Sequence, residues 1–418
     1  MWQNIKNLYH SLMSLAAASY YGFPHRDLYI VGVTGTDGKT TTTHLIYHIL
    51  KSAGKKVSMV SSVYAEIAGK RFDTGFHVTT PDAWMLQKFL HEVVAYGDKY
   101  MVIEVTSHSL DQQRVLGIHF NIGVVTNITH EHLDYHKTYL NYVRAKERLL
   151  ANSQTAILNI DDESYQYFKS PIVNKSISYG INHDAQVTPK KFPFLTSLPG
   201  TYNRYNCLAA MAVTQKIGIP HLQVLKGLKS FTGVKGRYER VHTSQGFEII
   251  IDFAHTPNAI KNLLSTVKSE IKGKGRLIHL FGSAGLRDAS KRSLMGKQSV
   301  RFANIIILTE EDYRTENVDV IIDAIAKGCV EEGAVELTPS SFGESFIESQ
   351  IVFFRIHNRQ DAVNFALQRL ARAGDIVVLT GKGHESSLCR GITESPWSEF
   401  EAVTSALETK VNHEKKHR

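Results

Sequence analysis

Short apolar runs rich in Val, Ile, Leu and Tyr alternate along this chain with stretches in which apolar residues recur every three or four positions. The runs predict strands at Leu28–Val33, Lys56–Val60, Tyr100–Val105, Ile122–Asn127 and Thr155–Asn159. Further runs lie at Phe247–Phe253, Arg276–Phe281, Asn304–Leu308, Ile351–Ile356 and Asp375–Thr380. The stretches between them predict helices; in Thr40–Lys51, Leu45, Ile46, Ile49 and Leu50 share one face. Such alternation implies parallel sheets covered by helices, an α/β fold. Two glycines in Phe231-Thr-Gly-Val-Lys-Gly236 break the pattern after a helix, so the chain reads as two α/β domains, residues 29–233 and 234–410. Upstream, Leu12–Tyr21 is apolar behind Lys6 and faintly resembles a signal peptide. Polar interruptions at Ser11 and Ser14 make an amphipathic helix the expectation for residues 1–28. Residues 411–418, ending Lys415-Lys416-His417-Arg418, read as a charged, solvated tail.

Composition narrows this picture. At 418 residues, 43% hydrophobic and 21% charged, the chain is neither disordered, fibrous nor a small disulfide scaffold. Forty-eight Lys and Arg against 40 Asp and Glu leave +8, which suits an anionic substrate. With no basic block before the tail, a nucleic-acid partner is not expected. Cys207, Cys329 and Cys389 are far apart and form no CxxC, which argues against a disulfide framework and for a reducing cytoplasm. No apolar run reaches the ~18–20 residues a membrane span needs, so no membrane insertion is expected.

Candidate chemistry begins at residues 28–43, Leu-Tyr-Ile-Val-Gly-Val-Thr-Gly-Thr-Asp-Gly-Lys-Thr-Thr-Thr-Thr. A strand enters a glycine-rich turn, and Lys39 and Thr40 open a helix. Backbone N–H groups of such a turn can cradle phosphates, Lys39 can reach the β/γ oxygens, and the Thr40 hydroxyl can hold Mg²⁺. The spacing departs from GxxxxGK[ST], because Val33 stands where the first glycine is usual and glycines occupy 32, 35 and 38. Glu104, at a strand end, and His132, in Thr126-Asn-Ile-Thr-His-Glu-His-Leu-Asp-Tyr-His136, could complete a Mg²⁺ shell with phosphate oxygens and water. Plain surface histidines are the bland alternative for this run; His130-Glu131-His132 lacks the i, i+4 spacing of a helical zinc site. In the second half, Asp252 and His255, Gly282–Asp288, Thr309–Glu316 and Leu379–Glu385 each follow a strand. A solvated loop accounts for any one of them; together they point to a shared crevice.

As an ordered set these motifs resemble the Mur ligase family. The family motifs are Gly-Thr-Asp-Gly-Lys-Thr-Thr, Glu-Val-Thr-Ser-His, the segment around His132 and Ala-Lys-Glu-Arg-Leu. Asp-Phe-Ala-His-Thr-Pro, the Arg-Asp…Lys-Arg-Ser-Leu-Met-Gly run and Gly-Lys-Gly-His-Glu resemble its MurE type, the UDP-N-acetylmuramoyl-dipeptide:amino-acid ligases of peptidoglycan synthesis. The resemblance implies a P-loop central ATPase domain with a mostly parallel sheet, followed by a Rossmann-like C-terminal domain. It implies an enzyme that uses ATP and Mg²⁺ to join a free amino acid to a muramoyl-peptide carboxylate through an acyl phosphate. By the same resemblance Gly35, Thr36, Asp37, Gly38, Lys39, Thr40, Thr41, Asn127, Arg237 and Asp252 lie at the nucleotide. Thr40, Glu104, His132 and a carbamylated Lys146 would hold metal, and Lys39, Glu104, His132 and Lys146 would be catalytic. On periodicity alone, Lys146 reads as an exposed helical lysine. Thr79, Thr80, Thr106, Gln112 and Arg114 match positions that hold the acceptor, and Arg287, Asp312, Arg314, Gly381 and Glu385 the amino-acid pocket. Asn203 and Asn206 match a family Gly-x-x-Asn-x-x-Asn segment.

Three departures stand out. The family pocket motif for meso-diaminopimelate, Asp-Asn-Pro-Arg, reads Glu311-Asp312-Tyr313-Arg314. An acceptor-only Asp312 would favour a cationic side-chain end, so lysine or another diamine is favoured over diaminopimelate. About 28 residues precede the phosphate loop, too few for a domain core, and match only the family's linker helix. The stretch from Tyr179 to Gly200 is short, with a loop expected at Val187–Pro193. The alternatives are a Mur-like ligase for another acid, of folylpolyglutamate or cyanophycin type, and a non-catalytic nucleotide-binding homologue. The sequence leaves oligomeric state open.

Overall fold

The computed structural model describes residues 2–72, 79–340 and 350–416. Its contacts divide the chain into two units, residues 1–233 and 234–418. Each is an α/β unit built on a mostly parallel sheet.

The first unit carries eight strands: β1 (Tyr29–Thr34), β2 (Val57–Val60), β3 (Ala65–Ile67), β4 (Lys70–Phe72), β5 (Tyr100–Glu104), β6 (Phe120–Val125), β7 (Ser153–Asn159) and β8 (Ser176–Tyr179). Their order is β4-β3-β2-β5-β1-β6-β7-β8, with β3 alone antiparallel to its neighbours and the rest parallel. This order puts β1 between β5 and β6, in a register that sets Val33 beside Glu104 and Thr34 beside Val125. Parallel strands end on one edge, so the segments after β1, β5 and β6 emerge side by side. The helix Lys39–Ser52 buries Leu45, Ile46, Ile49 and Leu50, the face its periodicity predicts. Gly32 lies inside β1, where a Cβ would stand 2.7 Å from Leu149 Cδ1 and 2.8 Å from Phe120 Cδ1. It serves strand–helix packing rather than the phosphate turn. The first helix, Trp2–Tyr20, packs through small residues: Ala17, Ala18 and Ser14 are buried, and the Ser14 hydroxyl donates to the Gln113 carbonyl at 2.9 Å. Leu8, Leu12 and Leu15 face outward instead. Val187–Pro193 carries no strand.

The second unit carries β9 (Glu239–His242), β10 (Glu248–Ile251), β11 (Leu277–Phe281), β12 (Ile305–Leu308), β13 (Val335–Glu336), β14 (Val352–Arg355) and β15 (Ile376–Leu379), ordered β13-β14-β12-β11-β15-β10-β9. Only β9 is antiparallel. A separate hairpin pairs β16 (Ser387–Arg390) with β17 (Thr393–Pro396). Alternate residues feed two cores: Ile250, Ile306, Phe353 and Val378 pack under the helices Pro257–Glu270, Lys291–Phe302 and Val318–Glu331. Ile249, Ile305, Phe354 and Val377 pack on the other face against Ala362, Leu367 and Val403. Burial on both faces is why these strands are apolar throughout. Pro257 starts its helix, with the Thr256 hydroxyl accepting from the Ala259 N–H. The last helix, Glu399–Lys416, continues into the segment read as a solvated tail; residues 417–418 lie outside the described residues.

Candidate active site

In the first unit the turn after β1 is tied down by the segment after β6. The Thr36 N–H donates to the Asn127 carbonyl at 2.8 Å and the Asp37 N–H to Asn127 Oδ1 at 2.9 Å. The Asp37 carbonyl accepts from the Thr126 hydroxyl at 2.7 Å and from Asn127 Nδ2 at 3.1 Å. Close approach requires the glycines. A Cβ on Gly35 would sit 1.8 Å from Thr126 Oγ1, and Gly38 has φ +79° with Asn206 Oδ1 2.3 Å from its Cβ position. Asn206 in turn accepts from the Thr42 hydroxyl at 3.3 Å and donates to Asn203 Oδ1 at 3.0 Å. Lys39 Nζ folds back to the Thr36 carbonyl at 2.8 Å. Thr41 is half-buried on the first turn of the helix. The helix N-terminus directed at this turn favours an anion.

Glu104, 1% exposed, accepts from the Thr40 hydroxyl at 3.1 Å, from the Ser62 hydroxyl at 2.8 Å and from the Ser62 N–H at 2.9 Å. Ser62 was not among the sequence candidates, although it follows a predicted strand and the strand-end rule reaches it. Lys146 is buried, not exposed: its Nζ donates to the Gly35 carbonyl at 2.6 Å and lies 4.5 Å from the Tyr142 ring centroid. Burial, then the neighbouring Lys39 charge, push this amine well below the usual lysine range, against Asp37 and Glu131. His132 takes a left-handed backbone, φ 57°, with its ring edge-on to His108 at 4.8 Å and 6.0 Å from Tyr142. The structure thus joins Thr40 to Glu104, and Lys146 to the phosphate turn. Among the described residues, no group of three or more His, Cys, Asp or Glu is arranged to hold a metal ion on protein ligands alone. Beside these groups, Thr80 donates to the Glu104 carbonyl at 3.0 Å and accepts from the Thr106 N–H at 3.2 Å. Arg114 Nη1 reaches the Thr80 carbonyl at 3.4 Å, the Thr79 and Ser62 hydroxyl oxygens lie 3.1 Å apart, and Gln112 closes the short helix Ser107–Asp111. Burial lowers Arg114 from its ordinary value.

In the second unit the segments after β10, β11, β12 and β15 leave one edge of the sheet, since these strands are parallel neighbours. Asp252 accepts from the Tyr238 and Ala254 N–H groups, each at 2.7 Å, and the Arg237 guanidinium lies 4.4 Å over the Phe253 ring. Arg314, φ 53°, donates to the Gly285 carbonyl at 2.8 Å, while Arg287 is exposed. Asp312 does not offer the free anion that the sequence suggests. It is 3% exposed, Lys382 Nζ donates to its Oδ1 at 2.8 Å, and the Cys389 N–H donates to the same oxygen at 2.9 Å. Lys382 is fully buried and also pairs with Glu385 at 2.6 Å. Glu311 is buried against Gly381, whose Cβ would stand 2.6 Å from Glu311 Oε2. Burial, then Asp312, raise its carboxyl above the usual range. Lys382 and Glu311 both lie in strand-end segments that the sequence singles out, Leu379–Glu385 and Thr309–Glu316, without a role assigned to either residue there.

Comparison with known proteins gives the geometry a context. Residues 33–214 match the Mur ligase middle domain, and residues 236–383 the Mur ligase, glutamate ligase domain. A UDP-N-acetylmuramoyl-L-alanyl-D-glutamate–2,6-diaminopimelate ligase of Geobacter metallireducens is 34% identical, covering 94% of this chain and 81% of its own. A UDP-N-acetylmuramyl-tripeptide synthetase of Roseiflexus sp. is 35% identical with the same coverage. A solved UDP-N-acetylmuramoyl-L-alanyl-D-glutamate–2,6-diaminopimelate ligase superposes with TM-score 0.57 at 27% identity, over 92% of this chain and 79% of that one. A folylpolyglutamate synthase of Mycobacterium tuberculosis, complexed with ADP and AMPPCP, superposes with TM-score 0.66 over 96% and 95%; at 14% identity this likeness is one of fold. Among the described residues no helix is long and apolar enough to cross a membrane.

Proposed function

Because the chain belongs to the Mur ligase family, we propose that it is an ATP-dependent amide ligase adding an amino acid to the carboxylate of a UDP-muramoyl-peptide in peptidoglycan precursor synthesis. The observation that carries this reading is the edge of the first sheet. There a phosphate turn, the Thr40–Glu104 contact and a buried lysine amine on the Gly35 carbonyl lie side by side. The acceptor carboxylate attacks the γ-phosphorus of ATP, giving an acyl phosphate and ADP. The amino group then adds to the acyl carbon, and the tetrahedral adduct expels phosphate to leave the amide. Such transfer needs positioning and charge neutralisation rather than covalent help from the protein. The turn and Lys39 bind the phosphates; Thr80, Thr106 and Arg114 border the acceptor side.

The oxygens of Thr40 and Glu104 are the hard donors Mg²⁺ prefers, and Mg²⁺ usually keeps one or two carboxylates with phosphate oxygens and water. Thr40, Glu104 and His132 would hold it, and it would neutralise charge on the transferring phosphate. Lys146, whose amine burial pushes well below the usual lysine range, is suited to take up CO₂ as a carbamate, which would convert an amine into an anion able to join that shell. The test is a phosphate-release matrix: ATP and Mg²⁺ with UDP-muramoyl-dipeptide or a folate-type acid, crossed with diaminopimelate, lysine and other amino acids. Release that needs both the muramoyl acceptor and one amine is the expected result. Release with the folate-type acid, or none in any well, overturns the reading.

A further inference from the structure

The segments after β5 and β6 are bolted together by side chains that have no role in the reading above. His136, 6% exposed, places Nε2 3.1 Å from the hydroxyl of Ser107, itself 2% exposed. One residue earlier, the Tyr135 hydroxyl donates to Asp111 Oδ2 at 2.9 Å. Arg148 adds an ion pair to Asp111 at 3.2 Å and reaches the Leu110 and Asp111 carbonyls, each at 3.3 Å. The His136 ring lies 5.2 Å from Tyr142, whose hydroxyl is 3.1 Å from Thr36 Oγ1 in the phosphate turn. A continuous run of buried side chains therefore links Thr36, Tyr142, His136 and Ser107. One end belongs to the nucleotide turn; the other lies one residue beyond Thr106, on the acceptor side. Three non-glycine residues around this bolt, Gln113, His132 and Lys137, hold positive φ angles of 54°, 57° and 68°. Such conformations cost about 1–3 kcal/mol each and persist only where the surroundings over-determine them. The helical turn Leu133–His136 is thus held in one pose, and His132 opens it.

We propose that His136 is a positioning residue for the ligase reaction: through Ser107 it fixes the acceptor-bearing segment 106–114 against the nucleotide turn. It touches no substrate, and the proposal rests on the ligase reading above. What it supplies is registration of carboxylate and γ-phosphate, where a misplacement of about 1 Å costs up to roughly 100-fold in rate.

The experiment compares wild type with His136→Leu, His136→Gln, Ser107→Ala and the Ser107→Ala/His136→Leu double variant. Steady-state phosphate release yields kcat and the acceptor KM, and direct titration without acceptor yields nucleotide affinity. Leucine keeps bulk and loses the bond; glutamine keeps a polar group at the reach of Nε2. His136→Leu should lower kcat/KM for the acceptor at least about tenfold while nucleotide affinity stays within about twofold, a split that general loosening would not give. His136→Gln should recover most of the loss, and the double variant should be no worse than the poorer single one, because both remove the same bond. Wild-type kcat/KM in His136→Leu overturns the proposal. So does a parallel fall in nucleotide affinity and Tm that glutamine does not mend, or additive losses in the double variant. A wild type that releases no phosphate in the same plate overturns the ligase reading, and this proposal with it.

Discussion

Replacing Asp312 by Asn tests whether its charge faces the incoming amino acid or serves the interior. Lys382 Nζ is 2.8 Å from Asp312 and 2.6 Å from Glu385, and the lysine is fully buried. Coulomb attraction over such a distance is about 6 kcal/mol at an effective dielectric near 20. Breaking a buried pair usually costs about 3–5 kcal/mol, most of it from the charge left behind. Here Glu385 still compensates Lys382, and an asparagine Oδ1 can accept from both Lys382 and the Cys389 N–H. The expected loss is therefore smaller, about 1–3 kcal/mol, which lowers Tm by roughly 2–12 °C for a unit of this size. Glu385 and Asp312 raise the Lys382 amine against the effect of burial. A raised lysine contributes stability that is complete below its unfolded value near ~10.4 and is lost as pH rises through the folded value. The loss in Asp312→Asn should accordingly be flat between about pH 6 and 9. The assay is urea and thermal unfolding of Asp312→Asn, Lys382→Met and the double variant, with the amine column of the phosphate-release matrix alongside. The double variant should be more stable than the sum of the single losses by at least about 1 kcal/mol, with the order of preferred amines unchanged. Additive losses, or an unchanged Tm with a switch from lysine to diaminopimelate, would refute the reasoning.

Three further outcomes follow from the same geometry. Lys146→Ala should lower phosphate release by at least about 100-fold with the fold retained, and short carboxylic acids should restore part of it; unchanged turnover by this assay removes the carbamate role. Gly38→Ala, at φ +79° and facing Asn206, should cost about 1–3 kcal/mol in urea unfolding and abolish nucleotide binding by calorimetry. Glu311→Gln should raise Tm at pH 8, and the gain should shrink toward pH 4.5. Burial, then Asp312, raise the Glu311 carboxyl, so its contribution to stability is full below the unfolded value near ~4.3 and lost as pH rises through the folded one. A pH-independent gain in differential scanning calorimetry would contradict that assignment.

The central strands were readable because burial on both faces leaves a continuous apolar run. The strands that the pattern missed lack that run. β4 is largely exposed, β9 carries Glu239, Arg240 and a solvent-facing His242 at a sheet edge, and β8 reads Ser-Ile-Ser-Tyr at the opposite edge of the first sheet. Edge strands with polar residues avoid unwanted pairing, and the same property hides them from a search for apolar periodicity. The phosphate turn was legible for the converse reason: its demands are local, being glycines that admit a close backbone and a lysine and threonine opening a helix.

Charge state was the hidden layer, and two residues show why. Lys146 stands in the helix Tyr139–Ala151 three or four positions from Tyr142, Val143, Leu149 and Leu150, all buried. Read as a lysine it is a solvated cation; read by position it belongs to the apolar stripe, and that position was the signal that could have found it. Burial then pushes its amine well below the usual lysine range. Asp312 shows the opposite process. Its carboxylate is paired with Lys382, 70 residues away in the chain, a pairing that no local pattern announces. For Asp312 to select a cationic amine by itself, its field would have to reach the pocket unopposed, and Lys382 opposes it. With Lys382 shared between Asp312 and Glu385, the pocket proposed above would select among amines through Arg287, Arg314 and Glu385 as well. A preference for lysine over diaminopimelate, if the matrix finds one, should then survive Asp312→Asn, and a preference that this variant abolishes returns selection to Asp312.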